Sequence, residues 1–480
     1  MKTIFEKSIK GRRAVRLPKS DVPLIREIHD KYKRKKELEM AEVAEIDLVR
    51  HYVQLSKKNF CVDANFYPLG SCTMKYNPKF AEEIAKYEGF TNLHPLLPQL
   101  RYGGMLTQGA LEVMYNFEML LTKITGMAEF SLQPMAGAHG ELTGILVVAA
   151  YHREKGNKKT KILIPDSAHG TNPASASIAG YKVVSIPSDK NGIMDMEKFK
   201  AALDDEVAGC MLTSPNTLGI FNPHVKEISD LVHQVDGLMY YDGANFNALI
   251  GKCMPADLGF DIIHLNLHKT FATPHGGGGP GAGATGVCQK LRKFLPIPRV
   301  VERKDGTFAL DYDHINSIGY IAPFYGNFLV VLRAYSYILT LGKEGLKAVA
   351  ENAVLNANYV LNKLKKYYDI PHPVSCLHEF VISAKKQAQK GIHALDIAKR
   401  LMDFNFHPPT VYFPLIVEES IMIEPTETES KETLDEFAQA MITIAKEVDG
   451  NPSMIKEAPH GLEISRLDEV KAVKELKLRG

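Results

Sequence analysis

Residues 239–286 read MYYDGANFNALIGKCMPADLGFDIIHLNLHKTFATPHGGGGPGAGATG, and the fold is decided here. The apolar and aromatic run 238–241 reads as a buried strand that stops at Asp242. Residues 262–268 read as a second strand, with Ile263, Leu265 and Leu267 on one face and His264, Asn266 and His268 on the other. Lys269 follows where that strand should give way to loop. An acid and an amine are thus placed at the ends of two neighbouring strands, the edge at which α/β sheets bind ligands.

That pairing suits pyridoxal 5′-phosphate (PLP). A carboxylate keeps the pyridine nitrogen protonated, and a lysine held partly away from water supplies a nucleophilic amine for the Schiff base. Asp242 and Lys269 are the candidates for these two roles.

Working outward, strands are expected at 161–165, 181–186 and 209–213, and helices at 108–125, 142–152, 194–203 and 225–234. This alternation predicts a mostly parallel, doubly wound α/β sheet. His169, Thr213, Asp242 and Lys269 then sit at four strand exits along one edge. Ala136, Gly137 and Ala138 precede the 142–152 helix. Small residues there leave backbone N–H groups open to an anion, aided by the helix dipole, and are the candidate phosphate cup. Helices at 325–341 and 343–367 lead out of this region to short strands and two helices after Pro371, a small α/β domain. The expected division is an N-terminal arm and helix (1–60, with the charged run 31–42 helical), a large PLP-binding domain (61–330), bridging helices and small domain (331–448), and a charged tail (449–480).

Two decoys are set aside. Residues 281–286 match G-x-G-x-x-G, but they follow Gly276–Pro280 and no strand-to-helix context surrounds them, so no dinucleotide site is expected. His264 and His268 lie on a strand without an evident acidic third ligand, so no metal is expected either. The glycine tract itself should line the cofactor pocket, close to the backbone.

DGANFNALIG, HLNLHKTF, PHGGGGPGAG, PLGSCTMKYNP, PMAGAHGELTG, DSAHGTNPASA and EPTETESKETLDEF together resemble the P-protein family of the glycine cleavage system. The likeness spans most of the chain, which at this length resembles the PLP-bearing second subunit of the split form. It implies the PLP fold type I (aspartate-aminotransferase-like), with PLP covalent on Lys269. It also implies decarboxylation of glycine and transfer of the aminomethyl group to the lipoyl disulfide of an H-protein. His169 falls where related PLP decarboxylases stack a histidine on the cofactor. Thr213, Asn216, Ala244 and His268 complete the cofactor-binding candidates, with Thr171 and Asn172 as second-rank candidates for polar contacts nearby. Ser71, Cys72 and Thr73, which the residues alone leave as a loop with a buried cysteine, become candidates for the substrate channel. The implied partners are subunit 1, in a dimer of heterodimers, and the H-protein. Another PLP lyase, or a non-catalytic supporting subunit, are the alternatives; intact Asp242 and Lys269 argue against the second. Arg101 and Arg153 are available to anchor a substrate carboxylate, and neither is singled out.

Composition agrees. The 480 residues carry 58 basic and 56 acidic side chains, net +2, which gives no nucleic-acid signature. The 6 cysteines form no C-x-x-C pair, as in a reducing compartment. No apolar run reaches a membrane span and no secretory leader is visible. A cytoplasmic protein is expected.

Overall fold

The computed structural model describes residues 1–23, 28–36, 38–99, 103–276 and 281–476. The chain divides into two units, Met1–Ala64 and Asn65–Gly480.

In the first unit the helix is Glu45–Ser56. Among the described residues of the charged run 31–42 there is no helix of the expected kind, apart from the run's share of the 3-10 turn Asp30–Tyr32. Its dense like charge gives no apolar stripe to bury, so nothing beyond intrinsic propensity favours a helix. Residues 8–12 are tied instead to the entry of the helix. The Ile9 N–H donates to the Glu42 carbonyl (2.8 Å), and Arg12 pairs with Asp47 (3.2 Å).

In the second unit a seven-stranded sheet comprises β1 (Glu129–Ser131), β2 (Lys161–Pro165), β3 (Lys182–Ile186), β4 (Val207–Thr213), β5 (Leu238–Gly243), β6 (Ile262–Asn266) and β7 (Gly283–Val287). Their order is β1-β7-β6-β5-β4-β2-β3. Strands β3, β2, β4, β5 and β6 run parallel; β7 is antiparallel to β6 and β1. This is the expected doubly wound sheet, with both faces covered by helices. β4, β5 and β6 are therefore buried at every position, a continuous apolar run where a two-sided strand needs no alternation. The G-x-G-x-x-G match lies largely in β7 and leads into the 3-10 helix Gln289–Phe294, not into an α-helix.

The helix Gly137–Lys155 starts five residues before the expected one, and two glycines explain how closely it lies on the sheet. A Cβ at Gly144 would come within 2.3 Å of the Tyr240 ring, and one at Gly140 within 3.0 Å of the His264 Cβ. Removing both side chains lets the helix settle until its first turn reaches the carboxyl edge of β5 and β6.

A hairpin of β8 (Arg299–Glu302) and β9 (Phe308–Asp311) follows. The helix Phe328–Leu364 then leaves the sheet, with one non-helical residue, Gly342 (φ 59°, ψ −170°), at the break anticipated between its two halves. Its first part packs Val330, Val331, Ala334 and Ile338 into the core of the large domain. Its end packs Ala357, Val360 and Leu364 into a second core. That core lies under a three-stranded antiparallel sheet of β10 (Phe380–Ser383), β11 (Thr410–Val411) and β12 (Ser420–Ile423), in the order β10-β12-β11. Helices Ala394–Asp403 and Lys431–Gly450 close it. The tail begins inside this core, since Ile455 is fully buried. Among the described residues no helix is long and apolar enough to cross a membrane.

Candidate active site

Sheet register builds the site. Thr213 of β4 stands beside Asp242 of β5, Asp242 beside His264 of β6, and His264 beside Thr285 of β7, one row across four strands. Asp242 is 1 % exposed. Its carboxylate accepts from Thr213 Oγ1 (3.0 Å), Asn172 Nδ2 (3.1 Å) and the Ala244 N–H (3.0 Å), and His264 Nε2 lies 3.4 Å away. Burial pushes this carboxyl up, but His264, the Ala244 N–H, Lys269 and Asn172 together hold it below the usual carboxylate range. Asp242 stays ionised.

His264 is fully buried between the Tyr240 hydroxyl on Nδ1 (2.7 Å) and Asn266 Oδ1 on Nε2 (3.0 Å). Burial lowers its pKa, and Asn266 Oδ1, which can only accept, puts a ring hydrogen on Nε2. Glu141, from the first turns of the 137–155 helix, completes this corner. Its Oε1 accepts from Thr171 (3.0 Å), Oε2 is buried without a partner, and burial followed by Asp242 raises its pKa. The acids that the metal argument found wanting are thus here: ligating atoms of Glu141, Asp242 and His264 lie within 4.8 Å of one another.

β6 ends at Asn266, two residues earlier than expected. Leu267–Thr270 forms one helical turn, so Lys269 is carried on a turn, not a loop, with its neighbour His268 beside it. Burial lowers the pKa of His268 to about 3; its ring meets His275 edge-to-face at 5.0 Å, and its Nδ1 is buried without a partner. His169 is exposed, yet the protein packed around it, and then the Lys269 charge, lower its pKa against a smaller opposing effect of Asp242. Its Nδ1 meets Thr171 Oγ1 (3.0 Å) and its ring edge meets Phe413 (5.7 Å).

At the start of the 137–155 helix the N–H groups of Gly137, Ala138 and His139 have no acceptor within the helix, and Gly140 is the first to donate back, to Ala136 (3.0 Å). Three anion-seeking donors, an ionised buried carboxylate, an amine, and orphaned buried atoms (Asn172 Oδ1, Glu141 Oε2, His268 Nδ1) converge on one cleft. Phosphate, pyridinium and aldehyde are the groups this donor set fits.

A model of the glycine cleavage system P-protein family matches residues 19–307, and one of the glycine dehydrogenase C-terminal domain matches 349–460. The chain belongs to the P-protein family. It is 56 % identical over 475 residues (98 % of this chain, 97 % of the relative) to the probable glycine dehydrogenase (decarboxylating) subunit 2 of Caldanaerobacter subterraneus subsp. tengcongensis. Against the protein of that name from Bacillus velezensis it is 53 % identical over 475 residues (98 % and 96 %). A crystal structure of glycine decarboxylase (P-protein) in inhibitor-bound form is similar at TM-score 0.70 and 19 % identity, covering 88 % of this chain and 93 % of that one. A cysteine desulfurase from Thermococcus onnurineus is similar at TM-score 0.63 and 14 % identity (80 % and 95 %). The fold is PLP fold type I.

In this P-protein family member the remaining candidates divide. Ser71, Cys72 and Thr73 come to the cleft, near enough for Lys269 to act on the Cys72 thiol, which burial keeps protonated. Ser71 and Thr73 have positive φ (64° and 39°), held by hydrogen bonds described below. Asn216 is turned away: its Nδ2 binds the Gly192 carbonyl (2.6 Å) and its Oδ1 accepts the N–H groups of Leu218 and Ile220 (3.0 Å each), so its side chain orders its own loop. Ala244 contributes its backbone, through Asp242. Arg153 lies in the last turn of the 137–155 helix, roughly 24 Å along its axis from Gly137, so it anchors nothing at the cleft. Arg101 and Gly277–Pro280 of the glycine tract fall outside the described residues. Sequence reasoning ranked Asn172 only as a secondary contact, and missed Glu141, the role of His264, and three buried groups of the small domain, His378, Glu379 and Glu424.

Proposed function

We propose that this chain is the PLP-bearing subunit of a two-subunit glycine decarboxylase, which passes the aminomethyl group of glycine to the lipoyl disulfide of an H-protein. The observation that carries this reading is the row Thr213–Asp242–His264 with Lys269 on the turn just beyond it. Bound PLP would supply an electron sink for the pair left behind by a departing carboxylate.

The chain's residues do the rest. Lys269 would be the covalent anchor of PLP. Asp242, ionised and fixed by Thr213, Asn172 and Ala244, would keep the pyridine nitrogen protonated. The N–H groups of Gly137, Ala138 and His139 would take the phosphate, and His169 would lie against the ring. Rigid support of this kind fixes orientation, which is where a protein adds most to a cofactor's own chemistry. The Ser71–Thr73 loop borders the cleft where a lipoyl arm must enter. The relatives named subunit 2 support an unlike partner chain, and a cytoplasmic location belongs to the same reading.

The test is glycine-dependent exchange of labelled CO2 with a lipoyl carrier protein present, run on this chain alone and with its sister subunit. Exchange in the mixture that is lost with Lys269→Ala is the expected result. Exchange that survives Lys269→Ala would make this chain a supporting subunit, and no exchange with glycine would move the substrate to another amino acid.

A further inference from the structure

Antiparallel pairing of β10 with β12 sets Phe380 opposite Ile423, so the next position outward faces Glu379 with Glu424. Both are 0 % exposed, as is His378 before them. His378 Nε2 lies 4.0 Å from Glu379 Oε1 and 3.8 Å from Glu424 Oε1, and neither ring nitrogen has a hydrogen-bond partner. One ligating atom from each of the three falls within 4.8 Å of the others. The carboxyls also grip the cleft-side loop. Glu379 accepts from the Ser71 N–H (2.7 Å) and Asn245 Nδ2 (2.9 Å); Glu424 accepts from the Thr73 N–H (3.0 Å) and Thr73 Oγ1 (2.5 Å).

The charges facing this cluster are few. Lys269 acts on all three members. Glu427 acts on Glu424 but is itself paired with Lys75 at 2.7 Å. The Cys72 thiol, kept protonated by burial, faces both carboxyls, and the Cys376 thiol, likewise raised by burial, faces Glu379. One lysine is therefore set against two desolvated carboxyls, and like charges this close do not both ionise. Burial pushes both carboxyls up, Glu424 pushes Glu379 further, and burial keeps His378 neutral. A divalent cation fits less well, because every carboxylate oxygen here already takes a donor.

From this juxtaposition we infer that Glu379 and Glu424 share one proton, with His378 closing the cluster. The sharing stands independently of the proposed reaction.

Infrared difference spectroscopy on the full chain without added cofactor tests the sharing. At pH 7, Glu379→Gln and Glu424→Gln should each remove the same protonated-carboxyl band, which Glu118→Gln, at a buried carboxyl outside the cluster whose pKa burial raises to about 8, should leave in place. Two distinct bands, or none lost, would overturn it. Should neither variant fold, Thr73→Ala removes a donor that favours the charged form and should raise the pH at which the band bleaches; an unmoved midpoint overturns the sharing. A stoichiometric divalent metal in the purified chain, lost with His378→Ala, would replace it by a metal site.

Discussion

Two regions meet at the cleft, and they are built on opposite principles. The sheet edge holds one ionised carboxylate, Asp242, compensated by donors from β4, the 171–178 helix and its own strand exit. The small domain offers two carboxyls, Glu379 and Glu424, to the same lysine, with a neutral imidazole between them. A fully compensated acid keeps its charge across the working pH range. An undercompensated pair keeps one proton between its two members. The first suits a static partner for a pyridinium; the second gives two acids a joint titration.

Substitutions probe this contrast from its largest effect down. Lys269→Ala should bring glycine–CO2 exchange to background and abolish the visible band of lysine-linked cofactor; a variant that kept the band would put the linkage elsewhere. Asp242→Asn, which removes the fixed charge but retains the shape, should lower kcat by on the order of 10²–10³-fold, and a loss confined to KM would break the static-partner reading. Lys75→Met strands Glu427 in a site where both side chains are nearly inaccessible, and should cost about 3–5 kcal/mol in urea denaturation. Gly144→Ala presses a methyl against the Tyr240 ring and should cost about 1–3 kcal/mol; a neutral result would show that the 137–155 helix can lift from the sheet without consequence.

The smallest effect is in the pH dependence of stability. Glu379 and Glu424 have folded-state pKa values raised above the ordinary 4.5 by burial. Between 4.5 and those raised values the folded chain holds more protons than the unfolded chain, so the pair's contribution is complete below pH 4.5 and declines as pH rises through the folded values. Denaturation midpoints measured from pH 5 to 8 should fall less steeply in Glu424→Gln than in the wild-type chain. Asp242, shifted the other way, weakens the fold only as pH falls through the acid range.

The sheet edge was legible because its signals are local. A β-rich apolar run ending in Asp242, and another leading to Lys269, announce strand exits without any knowledge of what pairs with them. The expected end of β6 overshot by two residues, since in a strand buried on both faces alternation carries no information about where pairing stops. The small-domain cluster was illegible for the converse reason. Glu379 precedes FVIS and Glu424 follows IMI, so each alone resembles a polar residue ending a strand. Only the antiparallel register makes them neighbours. An acid before one predicted strand and an acid after its antiparallel partner are the signal that could have revealed them, since like charges directly opposite are disfavoured without a reason. Asn216 misled in the other direction: a polar residue after a strand exit serves its own turn as readily as a ligand.

The helix from Phe328 to Leu364 has a consequence for how this family can change length. Its interruption at Gly342 separates a stretch that can absorb an extra residue from one that cannot. Between Ala350 and Ala357 the helix runs unbroken from one core into the other. A single inserted residue there would turn Ala357, Val360 and Leu364 by roughly 100° and carry Glu379 and Glu424 off their bearing on Lys269. Insertions among viable relatives should therefore collect at the break and be absent from 351–356, so that the spacing of this segment acts as a ruler between lysine and acids.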